Sequence, residues 1–301
     1  MLQFNVLGTL EIKVDGKAVA VPRGPKVRQL LSLLVMQPGS VVSHGSLVDE
    51  LWGRQPPKTA LSTVRTHVYH LRKMLGQATG GAVPPDLIGT WSTGYVLHAA
   101  PEQVDAEVFQ RLTRQGEALL KAGDLTEGSR LLSHTLQTWD GDVLADVTCG
   151  PVLSRHVQHL AEVYMRALQQ RIGADMQLGR HRSVAAELRS LVARHPMDEW
   201  LHGQLITALY RCDRRADALR AYQELRTILR DELGLDPSPA LQHMQRLILS
   251  GTGGDGLDGP ARRGPSGPRP VTRGGAGLSR DFPAPEPAAS LSFREAAAVG
   301  A

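Results

Sequence analysis

The stretch "TALSTVRTHVYHLRKML", Thr59 to Leu75, has no acidic residue and an unbroken helical rhythm. Leu61, Val64, Val68, Leu71 and Leu75 recur at spacings of three and four, which sets them on one face of a 3.6-residue period. That face is expected to be buried. At about 100° per residue, Ser62, Thr66, Tyr69, His70 and Lys73 point away from it. Arg65 and Arg72 lie along one flank, with Thr63, His67 and Met74 along the other. The outward surface mixes hydroxyls, an aromatic ring, an imidazole and cations, the groups that meet phosphates and base edges. Taken alone, the pattern also fits a plain solvated amphipathic helix, so the neighbouring sequence has to decide.

Working outward, "LQFNVLG" and "LEIKV" in residues 1–20 read as two strands joined around Gly8 and followed by the turn "DGK". "PKVRQLLSLLVMQ" (25–37) reads as a helix with Pro25 in its first turn, stopped by "PGS". "SHGSLVDELWG" (43–53) is a second, short helix, capped by Ser43 or Ser46 and ended by Gly53. "RQPPK" is a stiff connector. After the opening helix, "DLIGTWSTGYVLHA" (86–99) places β-branched and aromatic residues on both sides of a Ser-Thr-Gly turn, a hairpin. Strands, three helices and a hairpin in about a hundred residues is the layout of a winged helix-turn-helix. In it the third helix enters the major groove and the wing meets the backbone or minor groove. Charge agrees: residues 1–100 hold 10 Lys/Arg against 5 Asp/Glu, while residues 101–250 hold 18 against 20. The anionic partner belongs to the N-terminal part.

Residues 101–250 are almost all helical by pattern, with long amphipathic runs joined by short turns such as "AGD", "LGRH" and "RCDR". These read as stacked antiparallel pairs of tetratricopeptide type, an architecture that exposes a protein-binding surface; plain helical packing is the alternative. From Gly251 onward Gly and Pro make up about a third of the residues, and a disordered tail is expected over 251–301. The expected domains are therefore 1–100, 101–250 and the tail. The fold class is mainly α, a winged helix-turn-helix followed by an all-α tetratricopeptide-like region. Across 301 residues, 42% hydrophobic and 21% charged, there is no apolar run of spanning length and no secretory start, so a cytoplasmic, nucleoid-associated protein without a membrane partner is expected.

The chemistry-bearing motifs are decoys. "GRQPPKTA" (53–60) lacks the glycine before Lys58 and the spacing of a phosphate-binding loop. His67 and His70 form H-x-x-H with no third ligand nearby, which argues against zinc. Asp140, Asp142 and Asp146 in "WDGDVLAD" fail a calcium loop and read as a solvated turn. Cys149 and Cys212 are far apart and in no metal or disulfide pattern. With no nucleophile elbow, metalloprotease motif or dinucleotide fingerprint, neither an enzyme nor a cofactor is expected.

Four stretches carry a family resemblance. "GPKVRQLLSLLVMQPGSVVSHGSLVDELWG" (24–53), "PPKTALSTVRTHVYHLRKMLG" (56–76) and "GYVL" (94–97) resemble the DNA-binding half of the Streptomyces antibiotic regulatory proteins. "ADALRAYQELRTILRDELGLDPSPALQ" (216–242) resembles the end of their bacterial transcriptional activation domain. The resemblance implies an activator of secondary-metabolite genes that binds direct repeats near the −35 region, associates with itself on DNA and recruits RNA polymerase holoenzyme through its sigma subunit. A repressor on the same fold, or a helical adaptor that binds proteins alone, are the alternatives. The family's winged helix is similar to the response-regulator output domain, whose V-x-x-H-x-x-x-L-R-K-x-L pattern is filled here by Val64, His67, Leu71, Arg72, Lys73 and Leu75. With the winged helix at the first residues, neither a phosphorylated receiver nor the ATPase module of larger relatives is expected.

The candidate DNA-binding set is Lys58, Ser62, Thr63, Arg65, Thr66, Tyr69, His70, Arg72, Lys73 and Trp91. Thr66 and His70 are assigned to base edges, Arg72 and Lys73 to phosphates. His70 stands where related domains often have arginine, which removes a bidentate contact to guanine. The wing tip also departs: Trp91, Ser92, Thr93, Gly94 and Tyr95 replace the family's Arg-Pro-Pro-Gly-Tyr. Trp91 either packs on sugar or packs on its own domain.

Overall fold

The computed structural model describes residues 1–79, 84 and 86–251; the expected tail lies outside the described residues. Packing divides the described chain into two units, 1–174 and 175–251.

The first unit begins with an antiparallel meander of β1 (Leu2–Asn5), β2 (Glu11–Val14) and β3 (Lys17–Val19), registered by Leu2 opposite Val14 and Ile12 opposite Val19. Alternation turns Phe4 and Ile12 inward, where both are buried. Next come α1 (Pro25–Val35), β4 (Val41–Ser43), α2 (His44–Trp52), α3 (Ala60–Ala78) and the hairpin β5 (Ile88–Trp91) and β6 (Gly94–Leu97). The second sheet has the order β4-β6-β5, so the hairpin is anchored along β4. The three-residue strands β3 and β4 escaped the sequence reading. Pro25 opens α1, and the Ser43 hydroxyl caps α2 by accepting the Ser46 N–H. Gly94 permits the anchoring of the wing. A Cβ there would lie 1.9 Å from the Val42 carbonyl oxygen, so no other residue lets β4 and β6 approach.

After the hairpin, α4 (Asp105–Lys121) and α5 (Leu125–Gln137) form an antiparallel pair, and α6 (Pro151–Gln177) follows an irregular connection. Helices α4 and α6 and the connection before α6 share one core with the winged helix, from Phe4 and Leu31 through Leu71 to Phe109, Leu144 and Leu160. Three carboxylates stitch it. Asp105 accepts the Val6 N–H at 2.9 Å and the Leu7 N–H at 3.1 Å. Asp146 accepts the Leu10 N–H at 2.8 Å and pairs with Arg28. Glu50, 2% exposed on α2, accepts Gln29 Nε2 at 2.8 Å and the N–H groups of Gly150, Val152 and Leu153 at 2.6, 2.9 and 2.8 Å. It thereby satisfies orphan donors at the start of α6 and sets a negative charge at the positive end of the helix. Gly150 is required for this approach, since a Cβ would meet the Glu50 carbonyl oxygen at 2.2 Å.

The reading of "WDGDVLAD" as a solvated turn is therefore corrected. The segment hydrogen-bonds to the β1–β2 connection through Asp140 N–H to Leu7 and Leu144 N–H to Val6, and Val143 and Leu144 are buried. The Asp146 carboxylate has its amide partner, Leu10, 136 residues away in sequence, which no local pattern reveals.

The second unit holds α7 (His181–Arg194), α8 (Glu199–Arg211), α9 (Arg215–Leu233) and α10 (Pro239–Ser250), with α7 against α8 and α8 against α9. Asp198 caps α8 by accepting the Leu201 N–H, and Glu199 accepts the Ser238 N–H just before α10. The core is formed by Leu188, Leu205, Leu209, Tyr222, Leu225 and Ile248. His202 is 3% exposed, with Nε2 3.0 Å from the Pro196 carbonyl oxygen. Burial lowers its pKa and keeps the ring neutral. Among the described residues no helix is long and apolar enough to cross a membrane.

Candidate nucleic-acid interface

Helix α3 runs 19 residues, and its buried stripe is Ala60, Val64, Val68, Leu71 and Leu75. One member of the expected stripe is corrected: Leu61 is 48% exposed. The helix starts at Ala60, and Ala60 takes the inward position of the first turn. The opposite face is open as expected, with Ser62, Thr66, Tyr69, His70 and Lys73 all exposed and Thr63 half-buried on the flank. Burying Val64, Val68, Leu71 and Leu75 contributes about 1.5–3 kcal/mol each and fixes which residues face out. The hydroxyl hydrogens of Ser62, Thr63 and Thr66 are committed. Ser62 and Thr63 donate to the Thr59 carbonyl, and Thr66 donates to the Ser62 carbonyl at 3.0 Å. Their oxygens remain acceptors. Tyr69 is 62% exposed and meets His70 edge to face at 5.6 Å.

The cations of residues 1–100 fall into two groups. Lys26 donates to the Leu51 carbonyl and lies 4.3 Å over the Trp52 ring, and Arg28 is paired with Asp146. Arg72, expected at a phosphate, is also engaged. Its Nε donates to the Ile88 carbonyl at 2.9 Å, and one terminal nitrogen donates to that carbonyl and to Thr90 Oγ1. The guanidinium bolts α3 to the wing strand β5. Arg23, Lys58, Arg65 and Lys73 are exposed and make no hydrogen bond or ion pair among the described residues. Trp91, at the end of β5, is 56% exposed.

His67 turns partly inward, and burial, followed by repulsion from His70 and Lys26, lowers its pKa, so it is neutral at pH 7. Burial and the Glu50 charge push the Cys149 thiol up to about 11, an inert thiol. Among the described residues no group of three or more His, Cys, Asp or Glu could hold a metal ion. A cleft of about 330 Å³ opens beside the C-terminal half of α3, lined by Arg23, Val27, His70, Lys73, Met74 and Gln77 among others. The sequence reading missed Arg23, about fifty residues from Lys73 in the chain, and Thr90, whose role is to hold Arg72.

Comparison with known proteins agrees with this geometry. Residues 18–97 match the model of the C-terminal domain of transcriptional regulatory proteins, and residues 104–249 match the bacterial transcriptional activator domain. Regulatory protein DnrI of Streptomyces peucetius is 38% identical over 262 residues, covering 86% of this chain and 96% of DnrI. Regulatory protein AfsR of Streptomyces coelicolor is 38% identical over 82% of this chain, which spans 24% of that larger protein. Transcriptional regulator RedD of Streptomyces coelicolor is 34% identical over 83% of this chain and 71% of RedD. The solved structure of Mycobacterium tuberculosis EmbR in complex with a low-affinity phosphopeptide superposes with a TM-score of 0.75 at 35% identity, covering 83% of this chain and 65% of EmbR. With both domain types in the family's order and a relative matched almost end to end, the chain belongs to the Streptomyces antibiotic regulatory protein family of transcriptional activators.

Proposed function

We propose that this activator binds direct repeats near the −35 region of secondary-metabolite promoters and recruits RNA polymerase holoenzyme there, through its sigma subunit. In this reading residues 1–100 bind DNA, protomers associate head to tail on the repeats, and residues 101–250 brace the neighbouring protomer and meet the polymerase. The site of action is the cytoplasm, on the nucleoid. The observation that carries the reading is the outward row of α3, exposed and free of acidic residues, beside a wing held by Arg72. Thr66 and His70 face base edges in the major groove. Lys58, Arg65 and Lys73 face phosphates, with Ser62, Thr63, Tyr69 and Trp91 completing the contact surface. Two weak protomer sites add through multivalency on repeated DNA.

The test is a footprint on the promoters flanking this gene, with and without polymerase, combined with transcription from the same template. Protection of spaced repeats beside the −35 region with increased transcript supports the proposal. Protection with reduced transcript assigns a repressor. No protection at low salt leaves the helical region as a protein adaptor.

A further inference from the structure

The cleft beside α3 has a composition that the outward row alone does not explain. Arg23 enters it from the segment before α1, while His70, Lys73 and Gln77 enter from α3, and no acidic residue among the described residues lines it. Arg23 and Lys73 are both exposed and both without a carboxylate partner among the described residues. Two uncompensated cations around one opening repel each other, and an anion between them relieves that repulsion.

The length of α3 says where this anion would lie. Nineteen residues at about 1.5 Å each make a helix of about 28 Å, whereas the major groove is about 12 Å wide. A helix seated in the groove by Ser62, Thr66 and Tyr69 therefore runs past the groove wall with its C-terminal turns. Beyond His70, Lys73 and Gln77 continue the outward row at helical spacing, so they cross the sugar–phosphate backbone where the helix leaves the groove. Arg23 is then aimed at the same strand from a second element. We propose that Arg23 and Lys73 form a clamp for a DNA backbone phosphate flanking the bases that α3 reads. This rests on the DNA-binding reading above and adds Arg23 to the interface. The fork of the guanidinium suits a phosphate oxygen pair, and the contact carries no sequence information.

The experiment is a salt titration of the full chain on a 30-bp duplex of random sequence, comparing wild type with Arg23→Gln and Arg23→Lys. Each neutralised phosphate contributes about 0.9 to the slope of log affinity against log salt. Arg23→Gln is expected to lower the slope by about that amount per bound protomer, and Arg23→Lys to keep it. The affinity loss at fixed salt is expected to be the same on a selected operator duplex. Because Arg23 is exposed and has no partner among the described residues, the melting temperature of Arg23→Gln serves as the folding control and is expected to be unchanged. An Arg23→Gln slope equal to wild type overturns the clamp, as does a loss confined to the operator. Absence of salt-dependent affinity in the wild type would instead remove the DNA-binding reading itself, a distinct outcome.

Discussion

Thr66 shows how an internal hydrogen bond limits what a side chain can read. Its hydroxyl hydrogen is given to the Ser62 carbonyl, so in the proposed interface its oxygen can act only as an acceptor. In the major groove the partners for an acceptor are the amino groups of adenine and cytosine. Thr66→Val keeps the shape and removes the oxygen. It is expected to relax preference at one operator position, a loss of roughly 1–3 kcal/mol in discrimination, while leaving affinity for random DNA unchanged; equal losses on both would remove Thr66 from base reading. Asp105 poses a different residue-scale question, since burial raises its pKa from 3.8 to about 6 although the N–H groups of Leu7, Val6 and Ala106 pull it down. The folded chain then holds this proton to higher pH than the unfolded chain does. Stability from this group is full below about pH 4 and falls as pH rises to about 6, by about 3 kcal/mol in all. Asp105→Asn keeps an acceptor for the amides and carries no charge to desolvate. The stability difference between variant and wild type, measured by urea unfolding, is therefore expected to rise in favour of the variant between pH 4 and pH 6.5. A difference independent of pH would place the Asp105 pKa at its ordinary value.

At the scale of elements, α3 and the wing are held together as one piece because Arg72 spans them. The guanidinium reaches both Ile88 and Thr90 on β5, and a lysine, with one terminal nitrogen, cannot reproduce the fork. Arg72→Ala is expected to speed hydrogen exchange of the β5 and β6 amides and to weaken DNA binding several-fold without changing which bases are preferred. Exchange identical to wild type would show that Arg72 is free to reach phosphate instead. The elements themselves were legible in the sequence wherever the signal was local. The stripe Val64–Val68–Leu71–Leu75, the Ser43 cap, Pro25 and the hairpin around Ser92 and Thr93 all depend on neighbours a few residues apart. What escaped depends on distant partners. Leu61 has the spacing of the stripe, yet it lies in the first turn, where Ala60 takes the inward place, and periodicity carries no information about what stands opposite. β4 is three residues long, too short to show alternation, and it exists because Gly94 admits it against β6. The role of Arg72 needed the wing strand sixteen residues on, and that of Arg23 needed a cleft made by two elements.

At the scale of the molecule, the boundary written in the sequence and the boundary made by packing differ. Charge and pattern change near residue 100, and the two family segments end and begin at 97 and 104, yet the packed unit that contains the winged helix extends to residue 174. The reason is the N-terminal meander. Phe4, Val6, Leu7 and Leu10 are buried in a cluster that includes Val104, Phe109, Leu144 and Leu153, and the amides of Val6, Leu7 and Leu10 find their acceptors on Asp105 and Asp146. A fragment ending at residue 100 keeps every candidate DNA contact but loses those acceptors and that cover, returning Phe4, Val6, Leu7 and Leu10 toward water at up to about 1.5–3 kcal/mol each. It also leaves the Glu50 carboxylate without the three amides of the α6 start. The fragment 1–100 is therefore expected to unfold far below the fragment 1–177, or to aggregate, in parallel thermal melts. Glu50→Ala in the longer fragment reproduces part of that loss, on the order of 3–5 kcal/mol. If 1–100 melted at the temperature of 1–177, the meander would be stable on its own. The carboxylate stitches would then be decoration on a self-sufficient winged helix.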